Sequence, residues 1–156
     1  GLQVRDGCKS IAKYGACGEI LWKYITGKYT TLPPLSAYIH SNRYPNAKYL
    51  ALEHDITSLK QCIHNGFPFI FGFMVYSSFM SDEVEKTGKV TTPNVNDESF
   101  LGGHCVICCG YNDNTKSFLC MNSWGTSWGD KGYFTMPYNY MLNKSLSGDF
   151  WTLRLF

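Results

Sequence analysis

Apolar positions along the chain switch between two periods. Val4, Cys8, Ile11 and Ala12 recur at helical spacing with Asp6 in the first turn, and Gly15 closes that short amphipathic helix. Ile56, Leu59 and Ile63 repeat the helical period behind Asp55, a residue suited to an N-cap, and Asn65-Gly66 ends the run. From Phe67 to Tyr76 the chain is almost continuously apolar and aromatic, which predicts a central strand with both faces covered. Two further strands follow, separated by the turn signal Asn112-Asp113-Asn114; one opens with His104 and the other closes with Asn122. A tryptophan- and glycine-rich loop leads to a third strand, and Phe150 to Leu155 alternates as a terminal one. Leu50 to Leu52 reads as another short strand.

Between these elements the pattern weakens. Residues 25–50 carry Pro33-Pro34 and Pro45 and read as an irregular crossing with polyproline character. Ser77 to Met80 begins a turn, and Ser81 to Phe100 reads as a polar surface loop.

Composition narrows the classes. The 156 residues fit one domain, and 44% hydrophobic with 17% charged residues marks a globular chain rather than a disordered one. A net charge of +2 without a dense Lys/Arg run gives no footprint for nucleic acid. The apolar runs are too short to span a bilayer, so no membrane partner is expected. Seven cysteines is an odd number, and Cys105, Cys108, Cys109 and Cys120 fall in strands expected to be buried, where thiols pack as small hydrophobes. That placement favours a reducing compartment over a disulfide framework. Cys105 and Cys108 point to opposite faces of one strand, which argues against a metal or redox pair. His40, His54 and His64 read as surface or cap residues.

An imidazole and a carboxamide on adjacent strands can share a hydrogen bond, which is how a histidine is oriented as a general base. Gly102-Gly103-His104, Cys109-Gly110-Tyr111, Asn122-Ser123-Trp124-Gly125-Thr126, Trp128-Gly129 and Lys131-Gly132-Tyr133-Phe134 with Met136-Pro137-Tyr138 together resemble the C-terminal half of a papain-like cysteine peptidase. Tyr14-Gly15-Ala16-Cys17 with Glu19, Trp22 and Tyr24 is similar to a segment downstream of that family's nucleophile. The resemblance implies an α+β fold with an antiparallel, partly barrel-like sheet, a few helices and its N-terminal part missing. It implies one incomplete peptidase domain over 1–156. Residues 1–50 would be the remnant of its helical half and crossing segment, and 51–156 the β-rich half carrying His and Asn.

The same resemblance makes His104 the catalytic base and Asn122 its orienting partner. Trp124 would be the indole covering their bond, and the backbone of Gly103 would lie beside the substrate cleft. No cofactor and no metal is implied. Papain-like enzymes place the nucleophilic Cys about 130 to 150 residues before the His, which puts it about 26 to 46 residues ahead of Gly1. Cys8 and Cys17 lie too close to His104 to fit, and Ile20 stands where a motif like that around the nucleophile would need the thiol.

The expected function is peptide-bond hydrolysis by Cys-His-Asn chemistry on a peptide or protein substrate. The thiol would come from an upstream segment or a second chain, and this chain alone would be inactive. The alternative is a non-catalytic papain-fold component of a larger assembly. Family precedent favours a lysosomal or secreted location, against the reducing compartment that the cysteines suggest.

Overall fold

A computed structural model describes residues 3–41 and 47–154. Pro45 and Leu155, both named in the sequence reading, lie outside the described residues. The chain divides into two compact units, Gly1–Tyr49 with Leu153–Phe156, and Leu50–Thr152.

In the first unit, helix α1 (Val4–Tyr14) carries Asp6 in its first turn and Lys13 in its last, complementing the helix dipole at both ends. Gly15 follows at φ 71°, and its N–H returns to the Ile11 carbonyl at 2.8 Å. A Cβ here would stand 1.9 Å from the Ser41 carbonyl oxygen, so only glycine lets the two backbones meet. The stretch expected to be an irregular crossing contains a helix, α2 (Leu35–Ser41). Pro34 stands just ahead of it and accepts the Ala37 N–H at 2.9 Å, a position where fixed φ helps and a missing N–H costs nothing. The prolines that looked extended therefore start a helix.

The second unit holds the sheet. Strand β1 (Lys48–Ala51) reaches the unit's first residues, and α3 (Ile56–His64) follows, capped by Asp55, whose carboxylate accepts from the Ser58 N–H at 2.9 Å. Strand β2 (Phe69–Tyr76) buries Phe69, Phe71, Phe73 and Val75, while Met74 is 43% exposed. One face is thus fully covered rather than both, and the remaining apolar side chains lie on the half-covered face. The segment read as a surface loop contains helix α4 (Asp82–Thr87), begun by the Ser81 hydroxyl accepting from the Val84 N–H. Val84 of this helix and Val90 beyond it enter the core.

Strands β3 (Phe100–Asn112) and β4 (Ser117–Met121) form the hairpin, with the Asn112 carboxamide accepting from the N–H groups of Asn114 and Thr115 in its turn. Strand β5 (Tyr133–Pro137), the short helix α5 (Tyr138–Leu142) and β6 (Ser147–Arg154) complete the chain. The sheet order is β1-β6-β2-β3-β4-β5, open at β1 and β5, and the pairs β2–β3, β2–β6, β3–β4 and β4–β5 are antiparallel.

In β6 the polar Thr152 faces inward and is fully buried, its hydroxyl donating to the Pro68 carbonyl at 2.9 Å, whereas Trp151 is half-buried. A satisfied hydroxyl makes that inward position tolerable. The core is aromatic: Phe69, Phe71, Phe118 and Phe134 are all at most 1% exposed, each worth about 1.5–3 kcal/mol of burial. On the surface, Lys60 of α3 bridges Asp113 in the hairpin turn at 2.7 Å, and the Tyr138 hydroxyl donates to the same carboxylate.

All seven cysteines are free thiols. Cys108 and Cys120 are buried as expected, but Cys105 and Cys109 are exposed, because β3 alternates faces and is interrupted by a bulge at Cys109. His54 is packed rather than peripheral: its Nε2 lies 2.8 Å from the Met141 carbonyl, and its ring is 4.7 Å from Phe150.

Candidate active site

His104 does not open its strand but sits inside it, opposite Phe73 of β2. Strand β4 ends at Met121, which pairs with Ile107. Continuing that register by one residue sets Asn122 opposite Val106, so His104, two residues along the same face, is its diagonal neighbour. The result is a contact between His104 Nε2 and Asn122 Oδ1 at 2.8 Å.

The same Oδ1 accepts the Ser123 backbone N–H at 2.8 Å. This second bond decides the chemistry of the first. An N–H can only donate, so the atom it meets is the carboxamide oxygen. An oxygen facing the ring requires Nε2 to carry the proton in neutral imidazole. Nδ1 is left with its lone pair and takes no part in this bond. Asn122 itself is 8% exposed, and its Nδ2 is buried with no partner among the described residues. Its backbone N–H is anchored on the Gly132 carbonyl at 2.9 Å.

Trp124 lies over the imidazole, with ring centroids 4.9 Å apart and planes 26° from parallel. Trp128 supports it edge-on at 5.1 Å, and Phe79 does so at 5.7 Å. The Phe73 ring meets the histidine ring edge to face at 5.7 Å. The loop carrying the tryptophans is tied down by the Gly129 N–H donating to the Glu85 carbonyl of α4 at 2.7 Å. A low-dielectric wall of this kind strengthens a hydrogen bond it shields from water. Sequence reasoning missed Phe79 and Phe73 as parts of this wall. Phe79 was hidden in a stretch read as a turn, and Phe73 was one phenylalanine among many in an apolar run.

Gly103 is exposed, and the nearest atom to a Cβ placed there would be the Phe73 carbonyl oxygen at 4.0 Å, an ordinary contact. Nothing among the described residues therefore demands a glycine at this position. Its neighbour Gly102 does need one, with φ at 131°.

Cys105 follows His104 in sequence but projects to the opposite face. Partial burial, then the charge of Asp149, raises its thiol pKa, the reverse of what a nucleophile requires. No cysteine hydrogen-bonds the His104 ring among the described residues. Among those residues, too, no group of three or more His, Cys, Asp or Glu is placed to hold a metal ion, and no helix is long and apolar enough to cross a membrane.

The sequence model for papain family cysteine proteases matches residues 30–147. An uncharacterized peptidase C1-like protein of Acanthamoeba polyphaga mimivirus is 40% identical over 162 aligned residues, covering 99% of this chain and 52% of the viral protein. The thiol protease aleurain of Arabidopsis thaliana is 37% identical over 71 residues, 44% of this chain and 19% of its own length. Among solved structures, xylellain, a cysteine protease from Xylella fastidiosa, superposes with a TM-score of 0.90 at 34% identity, covering all of this chain and 62% of the other. Procathepsin L 3 of Tenebrio molitor shares the fold, with a TM-score of 0.61 at 22% identity. The chain spans about half the length of the mimivirus relative.

Proposed function

We propose, for a chain that belongs to the papain family of cysteine proteases and has its fold, that it supplies the base-bearing half of a thiol peptidase site. The nucleophilic cysteine comes from a segment ahead of residue 1, or from a second chain. The substrate is a peptide or protein.

His104 Nδ1 takes the proton of that incoming thiol, and the thiolate–imidazolium pair presents a charged sulfur to the scissile carbonyl carbon. As the tetrahedral adduct collapses, the proton passes from Nδ1 to the departing amine, leaving an acyl-thioester. Water then attacks the thioester, with Nδ1 accepting its proton, and the acid leaves as the thiol is regenerated. Asn122 accepts from Nε2–H in both protonation states of the ring, so it holds the imidazole through the cycle without competing for the mobile proton. Trp124 keeps water from that bond. The bare backbone at Gly103 leaves room for an extended substrate chain beside His104. No residue of this chain acts as the nucleophile, so the chain alone is inactive toward peptides.

The observation that carries this reading is the doubly accepted Asn122 oxygen, which leaves Nδ1 as the basic nitrogen of His104. The test joins this chain to the protein segment encoded ahead of it and assays hydrolysis of a fluorogenic peptide. Turnover by the joined protein, lost on His104→Ala and absent from this chain alone, is the expected result. A joined protein that binds the peptide without cleaving it would instead favour a non-catalytic papain-fold component.

A further inference from the structure

Cys108 and Cys120 face each other directly across the β3–β4 ladder, and neither exposes any surface. Facing residues in an antiparallel pair hold their Cα atoms about 4.5–5.5 Å apart, inside the window of about 4.4–6.8 Å that a disulfide spans. Both side chains project to the same, core face of the hairpin, as their equal burial requires. Burial first, and the Cys108 thiol second, raise the pKa of the Cys120 thiol.

The ladder is also adjustable at this place. Register shifts between Cys108 and Gly110, leaving Cys109 unpaired in a bulge with its thiol 3.5 Å from the Leu119 carbonyl. The Cys108 thiol itself is 3.6 Å from the Gly110 carbonyl, inside the same bulge. A bulge bends and twists its strand, which gives the backbone the small freedom needed to bring two facing Cβ atoms to bonding distance.

We propose that Cys108 and Cys120 form a reversible cross-strand disulfide, a modification site between the two strands that carry His104 and lead to Asn122. In this step each thiol loses its hydrogen, and together they give two electrons to a small-molecule disulfide. The oxidant's S–S bond breaks and it leaves as two thiols, while a new bond joins Cys108 Sγ to Cys120 Sγ. Because both thiols are buried, the bond forms slowly and during opening of the hairpin, so it reports a sustained rather than a brief oxidising exposure. Once formed, it fixes β3 to β4 two residues before Asn122, at the base of the site.

Cys105, Cys108 and Cys109 lie on one strand, so the test removes the ambiguity among them. The Cys105→Ser/Cys109→Ser double variant of the full chain is incubated with oxidised glutathione, then alkylated under denaturing conditions and digested. The expected result is a peptide containing Cys108 joined to one containing Cys120, a loss of two hydrogens from the intact mass, an upward shift in Tm, and reversal of all three by dithiothreitol. Recovery of Cys120 fully alkylated from oxidised protein would overturn the proposal. So would a natural-sequence chain in which Cys120 is joined only to Cys105 or Cys109. Should the double variant fold poorly, each single Cys→Ser variant supports the same mapping, and the Cys108→Ala variant must abolish the link.

Discussion

Nε2 of His104 lies 2.8 Å from Oδ1 of Asn122, and that oxygen also accepts the Ser123 N–H. The arrangement selects one neutral tautomer, with the proton on Nε2. Nitrogen-15 NMR of the chain labelled at histidine reports this directly. Neutral His104 is expected as the Nε2–H form, and Asn122→Ala is expected to give a mixture of tautomers. A pure Nδ1–H form in the natural sequence would contradict the geometry. In the joined protein, Asn122→Ala is expected to lower kcat/KM by roughly 10²-fold, the usual effect of misplacing a catalytic group.

Trp124 stacks on His104 while 39% exposed, so its contribution is that of an aromatic contact more than of core burial. Trp124→Ala is expected to cost about 1–2 kcal/mol of unfolding free energy, measured by urea titration, from its contacts with His104, Trp128 and Phe79. It should also speed exchange of the His104 Nε2 proton with water. Unchanged proton exchange in a folded variant would show that the indole does not shield the bond.

Phe71 has no exposed surface and touches the rings of Phe69, Phe73 and Phe150. Phe71→Ala leaves a cavity in the layer beneath β2, at an expected cost of about 3–5 kcal/mol. Phe71→Leu should cost clearly less. Chemical denaturation separates the two, and equal losses would mean that the site collapses around the gap.

Opposite ends of the pH scale act through different groups. Burial first, then the Asp113 carboxylate, raises the Tyr138 phenol, and burial raises Tyr140, whose hydroxyl donates to the Met74 carbonyl at 2.5 Å. Both stay neutral in the folded chain where unfolded tyrosines ionise, near pH 10. Their contribution is complete below that pH and is lost as pH rises toward the folded values. Phenolate absorbance should therefore show a late-titrating fraction that disappears on unfolding. On the acid side, hydrogen bonds from Lys60 and then Tyr138 lower the Asp113 pKa. That contribution is present above about pH 3.9 and is lost as pH falls through the folded value. Asp113→Asn should flatten the acid limb of the stability curve, and an unchanged limb would assign the slope elsewhere.

The sequence made the β-rich half legible because its patterns are local. Asp55 caps a run of period 3.6, Asn112 makes a side-chain turn, and His104 and Asn122 stand in distinctive neighbourhoods. It was less legible where tertiary context outweighed pattern. Pro33-Pro34 looked extended, but the fixed φ of Pro34 also serves the first turn of α2. The polar stretch after Ser81 hid α4, because Val84 alone marks its buried side. Thr152 took an inward position that hydropathy would assign to its neighbour Trp151, since the Pro68 carbonyl satisfies its hydroxyl. The exposure of Cys105 and Cys109 depended on strand alternation and a bulge, which residue type alone does not reveal.

His104 rides inside a ladder paired along its whole β2 side, and Asn122 is roped to Gly132 behind it. Neither anchor yields without breaking sheet or loop hydrogen bonds, so this half of the molecule behaves as an anvil. On the proposed reading, whatever adjustment a reaction here demands falls to the segment that brings the thiol.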